Sequence, residues 1–362
     1  MTKESKHISV RMWQKISAVL LVAALALLLK WLNGEHDEFE TLVFSGNTMA
    51  TTYHIKVVRN ANDVSGAESL ANAIQQQLET VNRQMSRYYE GGDIYRLNAA
   101  GAGMPVSVAA DVITVLQRAI DISELTDGAF DVTVGPLIHV WGFHDKVPLE
   151  HAPTDAQIEQ AKARVGYSHL VLDIKSNTVT KQIQGLDVDL SAIAKGRAVD
   201  LVAELLEKRG EKHYMVEVGG EIRCKGYNDK KQLWKIGIEK PAVGENLSRQ
   251  ISRVVALNDM SLATSGDYRS FYMLNGERMS HTINPRTGKP IQHHLASVSV
   301  FAADCMSADA LATAFTVLGA SEGMKLADKQ HIAAYFIERS GDAFVETSSK
   351  VFAQQFASTK EN

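Results

Sequence analysis

The sequence predicts an α+β fold built on a largely antiparallel sheet. Stretches with the two-residue alternation of strands and stretches with the 3.6-residue stripe of helices both occur. They do not follow the regular strand–helix–strand order that a doubly wound parallel sheet requires. The 362-residue chain has only seven prolines and no visible internal linker, so one compact unit is expected after an N-terminal leader.

That leader comes first. Lys3, Lys6, Arg11 and Lys15 precede an uncharged apolar run over 16–29. The run is short for a bilayer, about 21 Å at about 1.5 Å per residue. Snorkelling by Lys15 and Lys30, with Trp13 and Trp31 at the interfaces, lengthens it. No small-x-small cleavage site follows in "KWLNGEHDEFE", and no cysteine that would carry a lipid. An uncleaved signal anchor is the expectation, with a cleaved signal as the alternative. The basic residues keep the N-terminus in the cytoplasm and place the rest outside it. The expected boundaries are a cytoplasmic segment 1–15, a transmembrane anchor 16–32, a polar linker 33–43 and one domain 44–357.

Tyr53, Ile55 and Val57 alternate as a strand. Leu70, Ile74, Leu78, Val81 and Met85 form a helical stripe within 66–88. Val112, Val115, Leu116, Ala119 and Ile120 predict a second helix over 109–125, stopped near Gly128. "HLVLDIKSNTVTKQI" is expected to be a hairpin with its turn near "SN". "DVDLSAIAKGRAVDLVAELLEKRG" predicts a strand end, a small-residue loop and a helix closed by Gly210. "YMVEVGGEIRCKG", "LWKIGIEKP", "RVVALNDMSLATSG" and "ASVSVFAADC" each predict a strand. A last helix and the strand "IAAYFIER" complete the fold.

The net charge of −4 gives no basic footprint for nucleic acid. Cys224 and Cys305 are the only cysteines and show no metal spacing; a disulfide and two buried thiols are both open.

Several stretches can carry chemistry. In "SADALATAFTVLG", Asp309 and Thr313 are four residues apart, on one face of a mostly apolar helix. A plain reading has Asp309 favouring the helix N-terminus after an N-cap at Ser307. The chemical reading is a hard-cation site, since carboxylate and hydroxyl oxygens suit Mg²⁺. In "DLSAIAKGRAVD", Asp189 ends a strand and Lys195 and Gly196 open a helix whose amides favour an anion. The alternative is an ordinary junction with Gly196 for close packing. Gly219 and Gly220, inside a strand pattern, suggest a bulge or a close approach. His281 precedes a turn over 285–288 and is either structural or a base. His293 and His294 point to opposite faces of a strand and are expected on the surface. Met49, Tyr88 and Tyr89 suit a flat ring but equally suit a core.

Taken together, "MSRYYEGGDIYRLN", "TDGAFDVTVGPL", "DLSAIAKGRAVD", "VGGEIRCKG", "LATSGDY", "SHTINPRTGKPI" and "SADALATAFTVLG" resemble the ApbE family, the FAD:protein FMN transferases. The resemblance spans about residues 44–357. It implies an α+β architecture similar to the T-fold, and binding of FAD and Mg²⁺. It also implies transfer of FMN to a threonine or serine of a target protein, leaving AMP. The implied targets are periplasm-facing subunits of sodium-pumping NADH:quinone reductase or Rnf-type complexes, which places the domain in the periplasm at a bacterial inner membrane.

By the same resemblance, Asp309, Thr313 and the carbonyl of Ala192 match metal ligands. Met49, Tyr88, Ala129, Phe130, Asp131, Asp189, Lys195 and Ile283 match contacts to the flavin nucleotide. His281 is the candidate base for the incoming hydroxyl, with Asp189 second. Three positions depart from the usual pattern. Ala312 stands where some relatives carry a second aspartate, Arg197 where an aromatic is common, and Ala50 where glycine is usual. The competing expectations are an FAD pyrophosphatase with water as acceptor and a non-catalytic exported flavin-binding protein.

Overall fold

The computed structural model describes residues 39–61, 65–143, 149–241, 250–266, 271–274, 276–341 and 343–357. The expected segments 1–15 and 16–32 lie outside the described residues, as does most of the linker. Among the described residues no helix is long and apolar enough to cross a membrane.

The centre is an eight-stranded sheet in which position follows chain order. Its strands are Phe39–Thr48, Thr51–Asn60, Tyr214–Val218, Glu221–Lys225, Met260–Gly266, Leu295–Ala302, Ala333–Ser340 and Ala343–Ser348. Every neighbouring pair is antiparallel. The remaining elements are insertions between consecutive strands, so no parallel crossover is needed. The first strand starts at Phe39, inside the expected linker. Its alternate residues point to solvent from a sheet edge, so its acidic residues look like linker.

One face is covered by helices Ala67–Met85, Ala110–Leu125, Ala194–Lys208 and Cys305–Lys329. In the first, Leu70, Ile74, Leu78, Val81 and Met85 are the buried residues, the stripe expected from the sequence. That helix ends at Met85, so Tyr88 falls in the loop beyond it. The second helix ends before Gly128, whose N–H donates to the Ser123 carbonyl at 2.8 Å with φ 73°. The other face is covered by the hairpin Trp234–Lys240/Gln250–Leu257 and the short helix Lys350–Gln355. There Phe301, Phe352 and Phe356 meet at 4.7–5.4 Å between ring centres. A third cluster, around Leu137, Trp141 and Ile283, joins the smaller hairpins and helices at one end.

Several expectations are corrected. "RVVALNDMSLATSG" is two strands in two sheets, split at Asn258 and Asp259, the latter at φ 49°. Gly219 and Gly220 do not bulge a strand. They form the two-residue turn of a hairpin, at φ 64° and 103°, the left-handed pair that such turns demand. The long helix is capped by Asp304, whose carboxylate accepts from the Ser307 N–H at 2.7 Å, so Ser307 is not the N-cap. It breaks at Gly319 (φ 75°), where a side chain would meet the His293 ring. His293 therefore packs inward, and only His294 is exposed. Asp189 lies outside any strand; only Asp187 makes a bridge, to Val134. Cys224 and Cys305 are buried free thiols.

Candidate active site

The helices Ala194–Lys208 and Cys305–Lys329 cross almost in contact, and glycine makes this possible. A Cβ on Gly196 would stand 2.3 Å from the Cys305 carbonyl oxygen, well inside any tolerable contact. Asp200, one turn further on and 1% exposed, accepts from the N–H groups of Cys305 and Met306 at 2.9 Å each. Arg223 donates to the same carboxylate at 2.8 Å. Burial holds the Asp200 carboxyl above its usual range, against these hydrogen bonds. One helix thus caps the other.

In return, the second helix caps the first. The Gly196 N–H donates to Asp309 Oδ2 at 3.0 Å. In a regular helix that N–H would go to the carbonyl of residue 192. Here it is turned away, and no backbone hydrogen bond to the Ala192 carbonyl forms among the described residues. Asp309 is 4% exposed, and its other oxygen, Oδ1, faces Lys195 Nζ at 3.5 Å. Lys195 Nζ also lies 3.4 Å from Glu221 Oε1 and donates to the Ser191 carbonyl at 3.3 Å. Burial disfavours its charge, but Asp309 and Glu221 outweigh that and raise its pKa.

These groups open into a cavity of about 780 Å³. Ala129, Phe130, Asp131, Asp189, Ala192, Lys195, His281, Ile283, Asp309 and Thr313 all line it. The fold therefore gathers these residues from four separate stretches of chain. Met49 and Tyr88 do not line it. Met49 sits at φ 49° in the turn of the first hairpin and packs on the core, while the adjacent Thr51 and Thr52 reach the cavity. Tyr88 is 64% exposed, its ring 5.7 Å from the Arg87 guanidinium.

Arg87, which sequence reasoning missed, is the informative residue of that stretch. It bridges Asp187 at 2.5 Å and Asp189 at 3.2 Å. Asp189 also accepts from the Ser191 N–H at 2.8 Å. Both Asp189 oxygens are thus committed to holding the loop before the Lys195 helix. Asp131 is committed too: Thr133 and the Tyr167 N–H bind its two oxygens at 2.6–2.9 Å. Burial raises its carboxyl above the usual range despite them. It therefore ties the wall to Thr133 and Tyr167, while Thr126 accepts from the N–H groups of Ala129 and Phe130 at 3.1 and 3.2 Å. His54 and Glu217, also missed, pair at 2.8 Å on the cavity rim.

The oxygen set fits a hard divalent cation. Asp309, Thr313 and Ala192 all line the cavity, and one Asp309 oxygen is pinned to the Gly196 N–H, leaving carboxylate, hydroxyl and carbonyl oxygens as the available donors. Few protein ligands, with water and phosphate completing the shell, is the Mg²⁺ pattern. Among the described residues no group of three or more His, Cys, Asp or Glu side chains is placed to hold a metal.

The model of the ApbE family matches residues 49–336. The FAD:protein FMN transferase of Haemophilus influenzae is 40% identical over 352 residues, covering 96% of this chain and 100% of that protein. Among solved structures, flavin transferase ApbE from Vibrio cholerae superposes with a TM-score of 0.80 at 40% identity, covering 88% of this chain and 100% of that one. The apo form of Pseudomonas stutzeri flavinyl transferase ApbE gives a TM-score of 0.80 at 36% identity, covering 88% and 98%.

Proposed function

The chain belongs to the ApbE family, and from that premise we propose that it moves the FMN half of FAD onto a threonine or serine hydroxyl of an acceptor flavoprotein. The observation that carries this reading is the Asp309 carboxylate, pinned through one oxygen to Gly196 while the other faces the cavity beside Lys195. Mg²⁺, held by Asp309, Thr313 and the Ala192 carbonyl, would supply charge neutralisation at the pyrophosphate.

The rest falls to the chain itself. Lys195, in the first turn of its helix and on the cavity wall, offers positive charge to a phosphate. Phe130 and Ile283 give the cavity apolar wall. The acceptor oxygen bonds to the FMN phosphorus as the bond to AMP breaks, and the hydroxyl proton needs a base. His281, exposed at the cavity, takes that proton. Asp189, the second candidate, is tied to Arg87 and Ser191 and serves to hold the loop.

The basic leader and the apolar run over 16–29 support a periplasmic domain tethered to a bacterial inner membrane. Acceptors would then be periplasm-facing subunits of sodium-pumping NADH:quinone reductase or Rnf-type complexes. The test is mass spectrometry of such an acceptor domain after incubation with the protein, FAD and Mg²⁺. A gain of one FMN with release of AMP, both abolished by EDTA, is expected. Free FMN and AMP without an adduct would indicate hydrolysis instead. Bound FAD without turnover would overturn the enzymatic reading.

A further inference from the structure

Glu221 has no part in the reaction described above, yet its setting is unusual. It follows the Gly219 and Gly220 turn directly and is 4% exposed. Its Oε2 is buried without a hydrogen-bond partner, while its Oε1 faces Lys195 Nζ at 3.4 Å. Burying an unsatisfied carboxylate oxygen is costly, so its presence at the cavity wall needs a reason.

The position of Lys195 supplies one. Its ammonium has three protons and three acceptors, the Ser191 carbonyl, Glu221 and Asp309, at 3.3, 3.4 and 3.5 Å. A committed ammonium–carboxylate pair would be closer, about 2.7–2.9 Å. Lys195 is therefore shared between two carboxylates, one of which is needed by the cation. A cation on Asp309 Oδ1 would repel the ammonium and take its acceptor. The stem of Lys195 runs past Gly219, where a Cβ would stand 3.2 Å from its Cδ, so the glycine turn leaves the lysine room to shift toward Glu221.

We propose that Glu221 is the alternate seat of Lys195: a positioning residue that draws the ammonium off Asp309 when the cation binds and holds it facing the phosphates. This rests on the cation reading given above. Charge points the same way. With Glu221 ionised, as at the alkaline pH chosen for the titration below, two carboxylates against one ammonium leave the site one negative charge in excess, which favours a divalent ion. Glu221→Gln removes that excess and leaves Lys195 only Asp309 as an anionic partner.

The experiment is calorimetric titration of Mg²⁺ into the FAD-free protein at alkaline pH, where Glu221 is ionised. Glu221→Gln should weaken binding by about tenfold or more, the scale of losing an outer-shell partner. Lys195→Met should tighten it, and Glu221→Gln with Lys195→Met should recover most of the loss, because the net charge returns to that of the native site. Unchanged affinity in Glu221→Gln, or a double variant no better than the single, overturns the proposal. If Glu221→Gln does not fold, Lys195→Met alone decides: weaker or equal Mg²⁺ binding overturns it. Failure of the unaltered protein to bind Mg²⁺ would instead remove the cation reading itself.

Discussion

The two faces of the central sheet are covered by regions made of opposite materials. On one, two helices are clasped through a glycine without a side chain and buried carboxylates that cap each other's termini. On the other, Phe301 and Tyr335 of the sheet pack against Phe352 and Phe356 at the short helix, beside a hairpin. The aromatic region buries large apolar area and gains stability from it. The clasp buries charge, which contributes little net stability but holds specific oxygens at fixed points. The difference teaches where to look for function: in the region whose burial is hardest to justify on stability alone.

Mutations can break or sharpen this contrast. The largest effect is expected from His281→Ala, which should slow transfer by about 10²–10⁴-fold, the range for loss of a general base. FAD affinity and melting temperature should stay unchanged; transfer at the native rate would remove His281 from the mechanism. Phe352→Ala should do the converse, costing about 3–5 kcal/mol of stability. Phe352 is 1% exposed and stacks on Tyr335 at 5.1 Å. Denaturant titration reads the loss, and the kcat of the folded fraction should be preserved. If kcat collapses as well, the two regions are not separable.

Gly196→Ala tests the seam between the helices. Its methyl would strike the Cys305 carbonyl, so about 1–3 kcal/mol should be lost, as for other overpacked contacts. Unlike Phe352→Ala, it should also weaken Mg²⁺ binding, since the Gly196–Asp309 bond must shift. A stability loss with normal Mg²⁺ affinity would show that the clasp does not set the carboxylate.

The smallest effect is a pH dependence. Burial pushes the Glu221 carboxyl up to about 8, against Lys195 and with help from Asp309, whereas an unfolded glutamate titrates near about 4.3. The folded metal-free protein thus binds this proton more tightly than the unfolded chain, and stability falls as pH rises from about 4.5 toward 8. In Glu221→Gln that component is absent. The melting temperature of the variant relative to the unaltered protein should therefore climb across this window; a constant difference would place Glu221 in an ordinary carboxylate range.

How far the sequence reveals these regions depends on the range of the contacts. The stripe from Leu70 to Met85 repeats within one helix, so its burial was legible. Asp309 and Thr313 were legible as one face for the same reason. The pair Arg87 and Asp189 is separated by 102 residues, and Gly196 and Asp309 by 113; no local period records such meetings. Glu221 was hidden behind Gly219 and Gly220, which look like a flaw in a long strand until the chain is seen to reverse there. Asp200 reads as one more polar residue on a helix until it is found beneath the next helix.

The separation of Gly196 from Asp309 has a consequence for biosynthesis. Strands enter the sheet in the order in which they are made, so much of the scaffold can assemble while the chain is still emerging. The cation site cannot. Gly196 and the carboxylate that its N–H binds are 113 residues apart in the chain, and six of the eight strands precede that carboxylate. A nascent or truncated chain that stops short of Asp309 is therefore a scaffold without chemistry, and competence arrives late, in a single step, when the last long helix docks.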